Sequence, residues 1–330
     1  MSIEMNKITA CFIARDEAKL LPRAIASLAR LGSALSAICV LDTGSSDGTP
    51  GIAADLGARV ESFTACNDAQ GRIADFSAAR NRAIDMAATE WVLIVDCDDE
   101  IVVDEPSASS LTEFLGKLPP TVQGCMVRVK TTECTWLQVR LLRRSVRYVG
   151  MVHEYPLCSG PTEVFAGITV RHLPDKTGKE GSEERCARIL INQPPTSRTR
   201  RDWFYLGRAL LNTSQYGAAA AALEEYLSQD SGFLEEQLHA HIHLADAYQR
   251  CGRGQKAAET IAAAIMMDPR FAEPFTFAGD LHYLAGRKKH AAALYRAALA
   301  LGGPPPDARL FVNHAKYGTY PRAMLAACGE

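Results

Sequence analysis

The sequence lacks any apolar stretch that approaches the roughly 18–20 residues needed to span a bilayer. Its first residues, MSIEMNKITA, also lack the basic region and apolar core of a secretion signal. Neither sign of charge is in excess, since 36 basic and 38 acidic residues leave a formal net charge of -2. This balance provides no attraction to nucleic acid or to anionic membranes. We therefore expect a cytoplasmic protein without a nucleic-acid partner or an integral membrane segment.

The ten cysteines lack the close spacing of a metal or redox motif, because no CxxC pair occurs among them. Cys11 and Cys39 lie inside apolar runs, where cysteine behaves as a small hydrophobic residue. Reduced thiols are favoured in a chain without a secretion signal. The spacing is also wrong for a structural zinc site.

The chain of 330 residues is long enough for two domains, and its two parts differ in pattern. Short apolar runs alternate with helical patterns up to about residue 175, whereas strand signals stop from about residue 200. We predict a first domain at 1–175, a connecting helix and linker at 176–199, and a helical domain at 200–330. Charged residues at 22% and hydrophobic residues at 47% are typical of soluble globular proteins.

The first part alternates predicted strands with predicted helices. The strands are expected at 7–14, 37–41, 59–63 and 91–95, and the helices at 17–31, 49–56 and 76–88. This alternation predicts an α/β fold with a mostly parallel sheet and helices on both faces. Ligands of such sheets bind beyond the carboxyl ends of the strands. Asp42 and Asp96, which both follow a predicted strand, should therefore converge on one crevice.

The second part contains an internal repeat with alanine-rich helical periodicity. Three segments align on a small residue, on an alanine twelve positions later, and on a large residue four positions further on. These are Gly207, Ala219 and Leu223 in the first copy, Ala245, Ala257 and Ile261 in the second, and Gly279, Ala291 and Tyr295 in the third. The pattern resembles a tetratricopeptide array of about three helix pairs, with an insertion near 229–236.

The acidic run that begins with Asp96-Cys97-Asp98 follows a buried strand directly. Two carboxylates at positions i and i+2 form a compact site for a hard divalent cation, Mg2+ or Mn2+, which typically bridges to substrate phosphates. The alternative is a solvated acidic loop or a helix N-terminus, where acids interact well with the helix dipole. The preceding strand and the motif at Asp42 favour the metal site.

The second motif is Asp42-Thr43-Gly44-Ser45-Ser46-Asp47-Gly48-Thr49. Asp42 can accept a hydrogen bond from a nucleobase imide or a ribose hydroxyl, and the small residues after it let a ligand approach the backbone. Ser46 or Asp47 can cap the next helix. For Asp47 to Thr49, a plain strand-to-helix turn is the favoured explanation.

Together these motifs resemble family-2 glycosyltransferases with the GT-A fold. The resemblance rests on Ile13-Ala14-Arg15-Asp16-Glu17, the motif at Asp42, Phe76-Ser77-Ala78-Ala79-Arg80-Asn81, and Asp96-Cys97-Asp98. It is strong over residues 7–100 and weaker over about 125–175. The segment from Arg140 to His153-Glu154 is similar to a bacterial branch that often carries tetratricopeptide repeats after the catalytic domain.

The resemblance implies roles for individual residues. Ala14 and Arg15 would contact the nucleoside, Glu17 would fill an acidic position nearby, and Asp42 would recognise the uracil of a UDP-linked donor. Arg80 would bind the nucleotide or diphosphate, which suits a permanently charged planar group. Asp96 would contact ribose or metal, and Asp98 would bind the metal directly. His153 would be a further metal ligand or a diphosphate contact.

The chain departs from the family pattern at three positions. Cys97 replaces an alanine, Asp99 stands before Glu100 and either replaces or displaces the family's acid, and Asp16 replaces an asparagine. Cys97 is interpreted as a small packing residue, because thiolate coordination of a hard metal would be unusual. Asp16 is expected to turn away from the diphosphate or to cap the following helix.

An inverting transfer requires a carboxylate that removes the proton of the acceptor while the leaving diphosphate is stabilised. Glu154 is the first candidate for this base, Asp99 the second and Glu100 the third. The alternative for His153-Glu154 is a polar pair that braces a loop.

These features predict a metal-dependent inverting glycosyltransferase that uses a nucleoside-diphosphate sugar. Tetratricopeptide stacks commonly hold extended peptides, so a peptide or protein acceptor is favoured. The alternatives are a glycan or lipid acceptor with a homodimer formed through the repeats, and a degenerate domain that serves only as a binding scaffold. A nucleotidyltransferase shares the sheet and the paired carboxylates. However, it would be expected to have a glycine-rich phosphate loop after the first strand, and residues 14–17 do not form one.

Overall fold

The computed structural model describes residues 4–103, 108–131, 135–175, 177–229, 233–306 and 312–330. The chain divides into two compact units, Met1–Lys179 and Glu180–Glu330. Lys176, the first residue of the predicted linker, lies outside the described residues, as do residues 230–232 of the predicted insertion.

The first unit contains a large sheet with helices packed on it. Its described strands are β1 Glu4–Ala14, β2 Leu35–Asp42, β3 Arg59–Ser62, β4 Thr89–Ile94, β5 Asp99–Val103, β6 Gly124–Lys130, β7 Thr135–Arg143, β8 Tyr148–Val149, β9 Tyr155–Pro156 and β10 Thr162–His172. Its described helices are α1 Leu21–Ser27, α2 Thr49–Asp55, α3 Phe76–Asp85 and α4 Ala108–Lys117, with a 3-10 helix at Leu28–Ala34.

Eight strands form the main sheet in the order β3-β2-β1-β4-β7-β6-β10-β5, and β8 pairs with β9 separately. The first four strands pair in parallel, as do β6 and β10. β7 pairs antiparallel with both β4 and β6, and the edge strand β5 pairs antiparallel with β10. The prediction of a mostly parallel α/β sheet is therefore confirmed.

The sheet is buried on both faces near its centre. Ile8, Ala10 and Phe12 of β1 belong to one hydrophobic core, which also includes residues of α1 and α4. Cys11 belongs to the opposite core, to which α3 contributes. Burial on both faces explains why this strand is a nearly continuous apolar run rather than an alternating one.

Two side chains form hydrogen bonds with the backbone of the edge strand β5 at Ile101. The Ile101 amide donates to Ser27 Oγ at 2.9 Å, and the Ile101 carbonyl accepts from Arg30 at 2.9 Å. An unpaired edge is a template for further strand pairing, so these two bonds remove part of that hazard. They also fix β5, which begins within the acidic run.

The second unit is helical throughout its described residues. Its helices are α5 Ser182–Asn192, α6 Arg200–Asn212, α7 Tyr216–Ser228, α8 Leu234–Arg250, α9 Gly254–Met267, α10 Ala272–Leu284, α11 Lys288–Ala300 and α12 Thr319–Cys328, with 3-10 turns at Pro195–Ser197 and His314–Tyr317. The predicted linker thus contains α5, which packs against α6. Among the described helices, none has the length and apolarity that crossing a bilayer requires.

Three helix pairs follow one another, α6 with α7, α8 with α9, and α10 with α11. The small residue of the repeat pattern lies where the two helices of a pair come closest. A Cβ added at Gly207 would lie 2.5 Å from the Leu223 side chain, and one added at Gly279 would lie 2.6 Å from the Tyr295 ring. The aligned small and large positions of the sequence are therefore packing partners, and the prediction of tetratricopeptide-like pairs is confirmed.

We expect Gly279→Ala to lower the free energy of unfolding by about 1–3 kcal/mol, as overpacking of a close contact does. The Tyr295 ring cannot yield easily, because it is fully buried and its hydroxyl donates to Asp280 at 2.7 Å. Thermal and urea unfolding measure the effect. Gly217→Ala on α7 is the matched control, since no atom lies within 4 Å of its added Cβ. Equal loss of stability in both variants would contradict the packing argument.

Candidate active site

The loops that follow β1 and β2 are tied to each other by side chains. Asp16, whose backbone φ is 53°, accepts from the Ser46 amide at 2.7 Å and from the Ser46 hydroxyl at 3.0 Å. Asp47 in turn accepts from the Ala18 amide at 3.1 Å, and Thr49 Oγ1 accepts from the Glu17 amide at 2.8 Å. The Asp16 carboxylate thus bonds residues just before α2.

Asp42 lies at the carboxyl end of β2 and is only 5% exposed. Its carboxylate accepts from the backbone amides of Gly44 at 3.2 Å and Ser45 at 3.1 Å. Gly44 has φ 101°, a left-handed conformation that favours glycine. Asp42 therefore shapes the turn at the predicted nucleoside position.

Arg15 and Asn67 both bond the loop of the Asp42 motif. Arg15 donates to the Thr43 carbonyl at 3.3 Å and also to the Gly71 carbonyl, and Asn67 Nδ2 donates to the Thr43 carbonyl at 2.8 Å. The Ala14 carbonyl accepts from the Thr43 amide at 2.9 Å. Sequence reasoning identified Ala14 and Arg15 but missed Asn67, which lies in an irregular segment without a strand or helix signal.

Arg80 joins two acids that are far apart in the sequence. It lies on α3, whose N-terminus is capped by Asp75 through the Ala78 amide at 2.9 Å. Arg80 Nη2 donates to Asp96 at 2.6 Å, and Nε donates to Glu154 at 3.1 Å. Arg80 Nη1 is buried without a hydrogen-bond partner. The N–H groups of Nη1 therefore donate to no other atom among the described residues.

Arg140 on β7 provides a second guanidinium to the same carboxylate. Its Nη1 donates to the other oxygen of Asp96 at 2.9 Å, and its Nη2 lies 3.6 Å from Asp99. Burial alone would raise the pKa of Asp96, but Arg80 and Arg140 outweigh it and hold that pKa well below its usual range. Burial would lower the pKa of Arg80, yet the charges of Asp96 and Glu154 raise it. Sequence reasoning quoted Arg140 without assigning it a role.

Asp98, Asp99 and His172 form the cluster that could hold a metal ion in the described part of the chain. Their ligand atoms all lie within 4.8 Å of one another. His172 Nδ1 is 2.9 Å from Asp99 Oδ1 and 3.6 Å from Asp98 Oδ1. Carboxylate oxygens together with an imidazole nitrogen are suitable ligands for a divalent cation such as Mn2+.

The charges around this cluster also fit a cation. Burial and the neighbouring charges of Asp96 and Asp99 raise the pKa of Asp98, although His172 opposes them. Burial raises the pKa of Glu17, whose Oε1 accepts from Lys179 at 2.5 Å and whose Oε2 is buried without a partner. A divalent cation would relieve this excess of negative charge.

Two of the predicted site residues, His153 and Glu100, lie outside the cluster of possible metal ligands. His153 has φ 51°, a left-handed conformation uncommon for a residue with a side chain, and it does not belong to the cluster of possible metal ligands. Glu100 pairs with Arg30 at 3.2 Å and with Arg171 at 3.2 Å. The roles predicted for them remain predictions.

His172 was missed by sequence reasoning because it lies far along the chain from the acidic run. The antiparallel pairing of β5 with β10 places His172 opposite Asp99. One signal was available, since the alternation of Ile168 and Val170 continues to His172 at the end of a strand-like run.

Residues 9–179, more than half of the chain, match the family described as Glycosyl transferase family 2. The chain belongs to glycosyl transferase family 2. The resemblance predicted from the motifs is confirmed. A TPR repeat-containing protein of Synechococcus elongatus is 41% identical over 100 residues, which are 30% of this chain and 22% of that protein. The chain therefore covers about a fifth of that relative.

Some solved structures are similar at a low level. S. aureus TarS is 12% identical with TM-score 0.40, over 82% of this chain and 55% of that one. Glucosyl-3-phosphoglycerate synthase of Mycobacterium tuberculosis, solved with Mn2+ and UDP, is 20% identical with TM-score 0.28, over 38% and 44% of the two chains. MamA is 19% identical with TM-score 0.31, over 37% and 67%. Likenesses this weak do not bear on the activity.

The stability of the metal-free protein should depend on the protonation of His172. The hydrogen bond to Asp99 raises the pKa of His172, and the charges of Asp98 and Asp99 add to it against burial. Because its pKa is higher in the folded state than in the unfolded state, protonated His172 stabilises the fold. This stabilisation is fully present below about pH 6.5 and is lost as pH rises through the folded-state pKa.

Urea unfolding in EDTA over pH 5–9 measures this dependence, which for one proton cannot exceed about 1.4 kcal/mol per pH unit. In His172→Gln the free energy of unfolding should no longer fall above about pH 6.5. In His314→Gln, a change at an exposed position, it should still fall as in the unaltered protein. An unchanged pH profile in His172→Gln would contradict the assignment.

Proposed function

We propose that the first unit transfers a sugar from a nucleoside-diphosphate sugar, with a divalent cation, Mn2+ or Mg2+, held by Asp98 and His172. The observation that carries the proposal is the closeness of His172 to Asp98, with Nδ1 3.6 Å from Asp98 Oδ1, next to the Arg80–Asp96 pair. When bound, such a cation neutralises charge that develops on a leaving diphosphate. The described residues supply the donor contacts and the base.

The nucleoside is proposed to bind at the joined loops after β1 and β2, with a UDP-linked donor. Ala14, Arg15 and Asp42 lie at the carboxyl ends of neighbouring parallel strands, where ligands of such sheets bind. Asp42 is already held by two backbone amides, so its carboxylate is oriented before the donor arrives. Glu17 is proposed to provide the acidic side chain next to the nucleoside site.

Arg80 is proposed to bind the diphosphate through Nη1. Its other two nitrogens are held by Asp96 and Glu154, so the guanidinium is fixed in place before any ligand binds. A buried nitrogen that has no partner is costly, so a movement of the guanidinium that lets a phosphate oxygen reach Nη1 would be favourable. Both oxygens of Asp96 accept from guanidiniums, which favours a ribose contact or an anchoring role for Asp96 over direct metal ligation.

Glu154 is proposed as the base of an inverting transfer. Arg80 pairs with both Glu154 and Asp96, so Glu154 lies close to the acidic run. Its side chain is 14% exposed, whereas that of Asp99 is fully buried and cannot touch an acceptor. Glu100 is held by Arg30 and Arg171 at the edge of the sheet. We propose a structural role for His153, in the turn that leads to Glu154.

The repeats are proposed to bind a peptide or protein acceptor. Support comes from the three successive helix pairs, because stacks of such pairs form an extended concave binding surface. A cytoplasmic location is proposed as well, because the nine cysteines in the described residues are all free thiols. The competing role for the repeats, self-association with a glycan or lipid acceptor, predicts a dimer in sedimentation experiments and no capture of peptide.

A panel of nucleoside-diphosphate sugars, tested with and without EDTA, examines the donor and the metal together. We expect one donor to raise the melting temperature and to release nucleoside diphosphate only when Mn2+ or Mg2+ is present. Asp98→Asn should abolish metal-dependent release and leave the fold intact, since removing a ligand weakens the metal site. Asp55→Asn, at an exposed position on α2, is the control. Full release in EDTA would contradict the metal role.

Glu154→Gln tests the base separately from the donor site. The amide oxygen can still accept from Arg80, so donor affinity should change by no more than a few fold. Turnover should fall by about 100- to 10,000-fold, the usual contribution of general-base catalysis. Glu163→Gln, at an exposed position in the same unit, is the control. Turnover equal to that of the unaltered protein would exclude Glu154 as the base.

A further inference from the structure

Asp99 is the acid that the family pattern leaves without a role. Both of its carboxylate oxygens have polar partners in the structure. It has no exposed surface. One oxygen, Oδ2, accepts from the Asp96 amide at 2.9 Å and lies 3.6 Å from Arg140 Nη2. The other, Oδ1, lies 2.9 Å from His172 Nδ1. Each oxygen therefore faces a hydrogen-bond donor or a cation.

These contacts exclude Asp99 from direct chemistry. A general base must reach the proton that it removes, and a fully buried carboxylate cannot touch an acceptor. Asp98 differs, since its side chain is 25% exposed. Both acids lie near His172 Nδ1, but the fully buried Asp99 is the closer one, at 2.9 Å against 3.6 Å for Asp98.

We propose that Asp99 is a positioning residue that holds His172 with its proton on Nδ1, so that Nε2 is the nitrogen left for the divalent cation. This inference rests on the proposed function, in which His172 and Asp98 hold that cation. Arg140 completes the arrangement, because it lies against Asp99 Oδ2 and bonds Asp96. Asp99 is then neither the base nor a metal ligand.

The physical reason is that a histidine ring with two similar nitrogens needs a partner that fixes its tautomer and its orientation. A carboxylate that accepts from the nitrogen opposite the metal does both, and it raises the basicity of the ligating nitrogen. The carboxylate itself must be held, since a buried charge without compensation is costly. Arg140, 6% exposed, supplies that compensation.

The register of the sheet makes this arrangement rigid. Asp99 and His172 are paired across β5 and β10, so the backbone already brings their side chains to the same face. The Leu173 amide donates to the Asp98 carbonyl at 2.9 Å, which fixes the next residue of each segment. His172 is therefore positioned by a strand rather than by a mobile loop.

Nitrogen-15 NMR of the histidine-labelled, metal-free protein tests the tautomer directly, with His172→Gln used to assign the signal. We expect a proton on Nδ1 of His172 at a pH above its pKa. On addition of Mg2+ the Nδ1 proton should persist while the Nε2 resonance shifts. Loss of the Nδ1 proton on addition of Mg2+, or a proton on Nε2 before it, would overturn the proposal.

Asp99→Asn gives a second readout through Mn2+ affinity, measured by electron paramagnetic resonance without any donor. We expect a loss of about 10- to 100-fold, as for other outer partners of metal ligands, together with a mixed His172 tautomer. Asp55→Asn should change neither. An unchanged tautomer with unchanged Mn2+ affinity in Asp99→Asn would remove its positioning role. If the unaltered protein binds neither cation while Nδ1 stays protonated, the metal site of the proposed function and the Nε2 assignment fail, but the contact between Asp99 and His172 stands.

Discussion

The first unit depends on one carboxylate shared by two guanidiniums. Asp96 accepts from Arg80 on α3 and from Arg140 on β7, so three separate parts of the chain meet at one charge. All three side chains are largely withdrawn from water, and a buried charge is tolerated only when it is paired and hydrogen-bonded. The network extends further, because Arg80 also pairs with Glu154 and Arg140 also lies 3.6 Å from Asp99.

The same network explains how three acids can stand so close together at the end of β4. Asp96 is neutralised by arginines, and Asp99 faces His172 and Arg140. Asp98 contacts no guanidinium with its carboxylate among the described residues, and burial together with its neighbours raises its pKa. The structure therefore leaves one acid of the run in need of positive charge. The buried Oε2 of Glu17 adds to that demand.

Much of the fold followed from local patterns. The first four strands were predicted within a few residues of their observed bounds, because a buried parallel strand is a continuous apolar run that ends at a turn. The predicted helix at 17–31 is shorter, since α1 gives way at Leu28 to a 3-10 helix. The repeat was visible because Gly207 and Gly279 must be small where a large partner packs against them.

The sequence by itself determined which residues would gather at the ends of β1, β2 and β4, because parallel neighbours bring consecutive motifs to one edge of the sheet. Asp42, Asp96 and Asp98 were chosen in this way, whereas Arg80 was chosen from the family resemblance. Only the tertiary structure decided the partners of the acids. His172 reaches Asp99 through the antiparallel pairing of β5 with β10, and Arg140 reaches Asp96 from β7. Such contacts depend on the order of strands in the sheet, which no local periodicity encodes.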